Sequence, residues 1–327
     1  MGKLAVYVER YTIARPEELE ALMRFKNAAE AFGHEIHYLF RSELQKIPHY
    51  DALFIRALTD PLNASYVASR IAEMHGLPVI DDARSIRICC DKVTMYRLLA
   101  KAGIPIPPTR ILRASDVTKE RAEEVFAELG RSVVMKAPHS SFSSHVEKVD
   151  TPEAFVETGH RFLHRADRIV VQGFVKTTFD WRVGVLNGEA LYTCRYLIPA
   201  KTFKIQAVID GKIEYGRVET VPVDQAPPHV VETAIRASNR IGRGLYGVDL
   251  KETADGGVVV IEVNDNPSIN AGDEDRYAPD LYERIVRYLL EERQMERFSG
   301  DGHLRGWEDV ELTGQPFIDQ GGFHPAD

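Results

Sequence analysis

The N-terminal part of the chain alternates short apolar runs with longer amphipathic segments. The short apolar runs lie at 4–8, 36–40, 52–55 and 78–80. The amphipathic helical segments lie at 16–32 and 64–74. Alternating strand and helix patterns of these lengths predict a βαβ-type unit built on a parallel sheet. The first strand is not followed by a G-x-G-x-x-G pattern, so a dinucleotide-binding domain has little support.

The middle of the chain continues to mix helix and strand patterns. Residues 91–103 form an amphipathic helical pattern that ends at Gly103, and the proline-rich stretch at 104–109 cannot continue it. A polar loop is predicted at 139–145. The helices and strands predicted around it lie at 118–129, 132–136, 152–164 and 168–172.

From Trp181 onward the pattern changes to β-structure. Asn187-Gly188, between apolar runs at 182–186 and 190–196, is a strong hairpin signal. A second hairpin is predicted around the turn residues at 255–257. The remaining segments are a looser stretch at 199–228, helices at 229–241 and 279–294, and a tail to which no chemistry is assigned at 296–327.

The second hairpin carries candidate metal ligands. Asp249 lies in an apolar run, and Glu262 and Asn264 alternate with apolar residues, so the period of two places both polar side chains on one face of a strand. Two carboxylates and an amide oxygen suit Mg²⁺, which takes hard oxygen ligands and is completed by phosphates and water. The alternative is a solvent-facing polar strand edge, but acids beside apolar neighbours are costly to bury without a cation.

Composition narrows the class of protein. The 327 residues are 44% hydrophobic and 28% charged, which is typical of a globular protein of two or three lobes. Neither a membrane-spanning apolar stretch nor a signal-peptide pattern is found, so we expect a cytoplasmic protein. The three cysteines form a poor disulfide framework. A net charge of −8 argues against general nucleic-acid binding, so an anionic ligand must be attracted by a local cluster of cations.

Four motifs resemble those of ATP-grasp carboxylate-amine ligases, in particular the RimK-like branch with an extra N-terminal domain. They are SSFS at 140–143, FDWRVGVL at 179–186, GLYGVDLK at 244–251 and IEVNDNP at 261–267. The resemblance runs from about 79 to 288. It implies an α/β protein in which an N-terminal parallel-sheet domain precedes a two-lobed α+β ATP-grasp domain. The expected divisions are 1–88 for the first domain, 89–175 for the region with the N-lobe, 176–295 for the C-lobe and 296–327 for the tail.

The resemblance also implies the nucleotide site. Lys92 and Lys136 correspond to lysines that reach the phosphates of ATP, and Asp180 falls where a carboxylate binds ribose. Ser141 and Ser143 lie in the loop that closes over the triphosphate, which contains no glycine here although relatives are commonly glycine-rich. A plain polar surface loop is the alternative. The adenine hinge corresponds to Gln172, Phe174 and Val175, around a Gly173 that is often acidic in relatives.

Five further cations are candidates for the reacting groups. Arg182 and Arg195 lie on the two arms of the first hairpin, and their parity predicts one shared face, where guanidinium groups bind phosphate or carboxylate in a fork. Lys201, Lys204 and Arg217 lie where relatives bind the acyl donor. Each of these three is more often a solvated surface charge, but as a cluster in an acidic protein they favour an anionic substrate.

The implied reaction joins a carboxylate to an amine. The carboxylate attacks the γ-phosphate of ATP, and the amine then displaces phosphate from the acyl phosphate. The cofactors are ATP and Mg²⁺, with Mn²⁺ as a substitute, and the partners are small-molecule or peptide carboxylates and amines, without nucleic acid or membrane. A small-molecule kinase and a non-catalytic nucleotide-binding module are the alternatives. The sequence leaves the substrates and a homo-oligomer open.

Overall fold

The computed structural model describes residues 1–139, 145–200, 202–209 and 212–292. The chain begins with a four-stranded parallel sheet in the order β2-β1-β3-β4. The elements of this unit are β1 (Lys3–Val8), α1 (Arg10–Ile13), α2 (Pro16–Ala31), β2 (Glu35–Leu39), β3 (Ala52–Arg56), α3 (Ala64–Met74) and β4 (Val79–Ile80). A 3₁₀ segment at Arg41–His49 precedes β3. The predicted βαβ-type parallel sheet is confirmed.

Two helices, α4 (Ala83–Cys89) and α5 (Lys92–Lys101), lead away from this sheet. Asp91 caps α5 by accepting a hydrogen bond from the backbone N–H of Val93 at 3.0 Å. The chain leaves α5 through Gly103, whose φ of 65° favours glycine. The helical pattern at 91–103 predicts α5. No pattern predicts α4, because its seven residues span fewer than two full turns and are too few to establish a helical period.

The next lobe is built on an antiparallel sheet in the order β5-β8-β6-β7. Its elements are β5 (Thr109–Leu112), α6 (Lys119–Leu129), β6 (Val133–Lys136), β7 (Val146–Val149), α7 (Pro152–Leu163) and β8 (Ile169–Gly173), with a 3₁₀ turn at Ala114–Asp116. Side chains of α6, α7 and the strands share one apolar core. The edge strands β5 and β7 are not predicted, because polar residues interrupt their apolar positions, whereas β6 has three apolar residues in a row.

A second antiparallel sheet follows in the order β13-β10-β9-β14-β15, and β11 pairs with β12 beside it. The elements are β9 (Phe179–Leu186), β10 (Glu189–Leu197), β11 (Gln206–Ile209), β12 (Lys212–Tyr215), β13 (Val218–Val221), a 3₁₀ turn at Val223–Gln225, α8 (Pro228–Ile241), β14 (Leu245–Glu252), β15 (Val258–Asn264), α9 (Leu281–Arg287) and a π-helical turn at Tyr288–Glu292. Both predicted hairpins are present. The stretch at 199–228 is more regular than predicted, since it contains three strands.

The two faces of the second sheet differ in character. Trp181, Val183 and Val248 point to one face and share a core with the apolar side of α8. Side chains at the alternate positions, such as Arg182 and Asp249, therefore point to the other face of the sheet, toward the lobe built on β5–β8. This alternation brings polar side chains together between the two lobes.

The N-terminal sheet and the C-terminal helix share a core. The Phe25 ring on α2 contacts Phe54 at 5.1 Å and Tyr282 on α9 at 4.7 Å between centroids, both edge to face. Arg24 forms an ion pair with Asp275 beside this contact. Within the described residues no helix is long and apolar enough to cross a membrane.

Candidate active site

A pocket opens between the two lobes, and most of the predicted nucleotide residues line it. It lies between β6 and β8 on one side and β14 and β15 on the other. The predicted residues in its wall are Lys92, Lys136, Gln172, Phe174, Val175, Asp180, Lys204, Asp249 and Glu262. Residues up to 170 positions apart in the chain therefore meet here, as the ion pair between Lys92 and Glu262 illustrates.

The two predicted phosphate lysines are both buried, and each donates a hydrogen bond to a side chain. Lys92 begins α5 and donates to Glu262 Oε1 at 2.7 Å. Lys136 ends β6 and donates to the Tyr96 hydroxyl at 2.6 Å. Burial lowers the pKa of Lys136 to about 7; Glu262 opposes this effect, and the charge of Lys92 adds to it. Lys136 therefore loses its proton at a lower pH than an exposed lysine does.

The predicted metal ligands lie side by side on the pocket face. Asp249 on β14 is directly opposite Glu262 on β15, and Asn264 Nδ2 donates to Asp249 Oδ2 at 3.2 Å. Burial acts to raise the pKa of Glu262, but the charge and hydrogen bond of Lys92 outweigh it, so the pKa is lowered. In the part of the chain that the structure describes, no three His, Cys, Asp or Glu residues cluster as a metal site. The predicted set has only two carboxylates, and with the amide oxygen it fits an ion that shares its coordination with phosphates.

Arg182 crosses from β9 to Asp249 in a two-pronged ion pair, with Nη2 and Oδ2 2.8 Å apart and a second bond through Nε. Its guanidinium carbon also lies 4.9 Å from the centre of the Tyr196 ring. Gly247 permits this approach, because a Cβ there would lie 3.1 Å from Arg182 Cδ and 2.7 Å from Pro267 Cβ. Burial raises the pKa of Asp249, although Arg182 opposes the shift.

The prediction that Arg182 and Arg195 share a face is wrong. A β-bulge between Ala190 and Tyr192 shifts the register of β10 by one residue, so Arg182 pairs with Cys194, and Arg195 pairs with Trp181. Arg195 therefore lies on the far face of the sheet. Its guanidinium carbon is 4.7 Å from the Trp181 ring centre. Without the bulge the predicted parity would hold.

The predicted adenine hinge has both of its flanks fixed by hydrogen bonds. The Gln172 amide donates to Thr109 Oγ1 at 2.9 Å, and the backbone N–H of Phe174 donates to Ser132 O at 3.1 Å. A side chain at Gly173 would meet the backbone oxygen of Leu129 at 2.9 Å from its Cβ. This close approach explains why residue 173 of this chain is a glycine.

Lys251 also lines the pocket, although sequence analysis does not single it out. It lies two residues after Asp249, hence on the same face of β14. Its ammonium donates to Thr177 Oγ1 at 2.6 Å and forms an ion pair with Asp180. The sequence does carry a signal for this residue: in the GLYGVDLK motif Lys251 lies two positions after Asp249, which predicts that both side chains share one face of the strand.

The three residues predicted to bind the acyl donor differ in their position relative to the pocket. Lys204 lines the pocket, with its ammonium 5.6 Å from the Phe203 ring centre. Arg217 does not reach the pocket, because its side chain is 75% exposed and pairs with Glu219. Lys201 lies outside the described residues, as do Ser141 and Ser143.

Comparison with known proteins agrees with this geometry. The RimK-like ATP-grasp domain family matches residues 89–289. The chain belongs to the RimK-like ATP-grasp family. The Probable alpha-L-glutamate ligase 2 of Pseudoalteromonas atlantica is 25% identical to it, over 85% of this chain and 94% of the relative.

The chain is also similar to a second curated relative in sequence and to a solved structure in fold. The Ribosomal protein bS6--L-glutamate ligase of Escherichia coli is 26% identical, over 84% of this chain and 86% of the relative. A RimK domain ATP-grasp protein of Sphaerobacter thermophilus superposes with a TM-score of 0.62 at 24% identity, over 88% of this chain and 99% of that protein. The predicted fold and the prediction of an ATP-dependent carboxylate-amine ligase are confirmed at the level of the family.

Proposed function

We propose that this RimK-like protein uses ATP and Mg²⁺ to couple an amino acid or peptide amine to a carboxylate, with release of ADP and phosphate. One observation carries the proposal. The buried cations Lys92 and Lys136 and the carboxylates Asp249 and Glu262 line one interlobe pocket, and Arg182 forms an ion pair with Asp249 there. Such a cluster in a chain of net charge −8 suits a triphosphate that brings its own divalent cation.

Asp249, Glu262 and Asn264 would hold the Mg²⁺, which neutralises phosphate charge during phosphoryl transfer. The remaining roles fall to this chain's cations. Lys92 and Lys136 bind phosphate oxygens, and Arg182 stabilises charge on the transferred group. Gln172, Phe174 and Val175 hold the base. The substrate carboxylate takes the γ-phosphoryl group, and the amine then expels phosphate from the acyl phosphate.

The names of the relatives suggest the first substrates to test. Both relatives above are called L-glutamate ligases, so we propose L-glutamate as the first amine substrate, with amino acids, peptides and protein termini as carboxylate partners. Lys204 lies in the pocket wall, where it would attract an anionic substrate. Lys201 keeps its proposed role in binding the acyl donor, whereas Arg217, which points into solvent, is left out of the proposal. We also propose that the domains divide at residues 89 and 176 and that the protein is cytoplasmic.

The test is ADP release measured with pairs of amino acids and peptides in the presence of Mg²⁺. We expect release only when a carboxylate and an amine are both present, since a kinase needs one acceptor and a binding module releases no ADP. Glu262→Ala should lower the rate by roughly 100-fold or more. Glu153→Ala removes an acid from an exposed ion pair and should leave the rate unchanged. Near-normal activity of Glu262→Ala would refute the metal assignment.

A further inference from the structure

Lys251 is a buried cation whose neighbours indicate a task other than phosphate binding. Its side chain is 10% exposed, and it lines the pocket on the same strand face as Asp249. A lysine is rarely buried unless its ammonium is paired. Its partners are therefore the best guide to its role.

Lys251 and Thr177 converge on a single carboxylate oxygen of Asp180. The Lys251 ammonium donates to Asp180 Oδ1 and to Thr177 Oγ1, the latter at 2.6 Å. The Thr177 hydroxyl donates to the same Asp180 Oδ1 at 3.2 Å. The described residues donate no hydrogen bond to Asp180 Oδ2. A carboxylate oxygen accepts about two hydrogen bonds, so Oδ2 keeps its accepting capacity for a ligand.

Asp180 lies between the parts of the pocket suited to a base and to phosphates. The hinge residues Phe174 and Val175 precede it by a few positions, and Lys136 and Glu262 lie across the same pocket. The group that connects base and phosphates in a nucleotide is the sugar, whose hydroxyls are hydrogen-bond donors. A fixed carboxylate at this position matches a ribose hydroxyl.

We propose that Lys251 is a positioning residue for sugar recognition. Together with Thr177 it holds Asp180 Oδ1, so that Oδ2 accepts a hydrogen bond from a ribose hydroxyl of the nucleotide. The inference rests on the proposed function, since it requires that the pocket binds ATP. In the competing role, Lys251 breaks its ion pair with Asp180 when the nucleotide binds and contacts a phosphate directly.

Binding calorimetry with ATP, 2′-deoxy-ATP and 3′-deoxy-ATP in Mg²⁺ separates the two roles. Wild-type protein should bind ATP roughly tenfold more tightly than at least one deoxy analogue, the size expected of a hydrogen bond to a charged group. Lys251→Met should weaken ATP binding by roughly tenfold and that analogue by less than about twofold. The preference for ribose would then disappear.

Two variants exclude a general structural effect. Lys251→Arg keeps the charge beside Asp180 and should retain the preference for ribose. Lys119→Met breaks an exposed ion pair with Glu153 far along the chain and should bind all three nucleotides as the wild type does.

Three results would overturn the inference. Equal weakening of all three nucleotides by Lys251→Met would assign Lys251 to phosphate binding. Equal binding of ATP and both deoxy analogues by the wild type would remove sugar recognition, while the proposed function would stand. Absence of ATP binding by the wild type would refute the proposed function and this inference with it.

Discussion

The Lys92 ammonium lies 2.7 Å from the Glu262 carboxylate, so a residue predicted to bind phosphate holds a residue predicted to bind metal. Arg182 and Asp249 repeat the arrangement one strand away. Under the proposed function, a Mg²⁺–ATP complex would offer each member of these pairs a new partner, phosphate for the cation and metal for the carboxylate. The two pairs compensate their buried charges in the structure, and the bound nucleotide and metal ion would take over that compensation.

The pKa of Lys136 predicts a pH dependence of ATP binding. Burial lowers this pKa to about 7 in the free protein, and an anionic phosphate must raise it in the complex. ATP affinity should be highest below pH 7 and fall above it by up to roughly tenfold per pH unit, since binding then requires proton uptake. Calorimetry in buffers of different ionisation enthalpy measures this uptake. Lys136→Met should abolish it, and an unchanged pH profile in that variant would contradict the assignment.

The bulge in β10 predicts different effects for the two hairpin arginines. Arg182→Lys loses the two-pronged contact with Asp249, so the turnover number should fall by roughly 100-fold. Arg195→Met acts behind the sheet, where methionine can pack on Trp181, and the turnover number should stay within about threefold. Steady-state kinetics with thermal unfolding as a folding check compare the two. A larger loss in Arg195→Met would place that arginine in the reaction after all.

The close approach of Gly173 to Leu129 predicts a cost for any side chain there. A Cβ would lie 2.9 Å from the Leu129 backbone oxygen, and backbone cannot move aside cheaply. Gly173→Ala should lower the free energy of unfolding by about 1–3 kcal/mol and weaken ATP binding through the displaced hinge. Urea denaturation and nucleotide titration measure the two effects. Wild-type values in both would show that the hinge adapts.

The buried carboxyl group of Asp81 should make the free energy of unfolding depend on pH. It is 1% exposed, and neither carboxylate oxygen has a hydrogen-bond partner among the described residues. Burial raises its pKa well above the ordinary value, and the charge of Asp265 adds to the shift. Since the folded protein then favours the protonated acid, stability is full below about pH 4 and is lost as the pH rises toward the raised pKa.

Asp81→Asn isolates this effect. The difference in unfolding free energy between wild type and variant should change by roughly 1.4 kcal/mol per pH unit across that window. Asp167→Asn, at a side chain that is 74% exposed, is the matched control and should show no such slope. Parallel stability curves for wild type and Asp81→Asn would contradict the prediction.

Alternation along strands predicted much of the pocket, because a period of two is a local property. It placed Glu262 and Asn264 on one face of their strand, and the register of the predicted hairpin sets Glu262 opposite Asp249. It failed for Arg195, because a bulge adds one residue that the pattern does not mark. The pairing of Lys251 with Asp180, 71 residues away, depends on how two strands meet and has no local signal.

The shared core of Phe25 and Tyr282 ties the first helix pair of the chain to its last helix. A shortened protein that starts at residue 89 would leave the Tyr282 side of α9 facing water and Asp275 without Arg24. We therefore expect the family-matched region alone to be less stable and less soluble than the whole chain, because it would expose an apolar surface that its N-terminal neighbour covers.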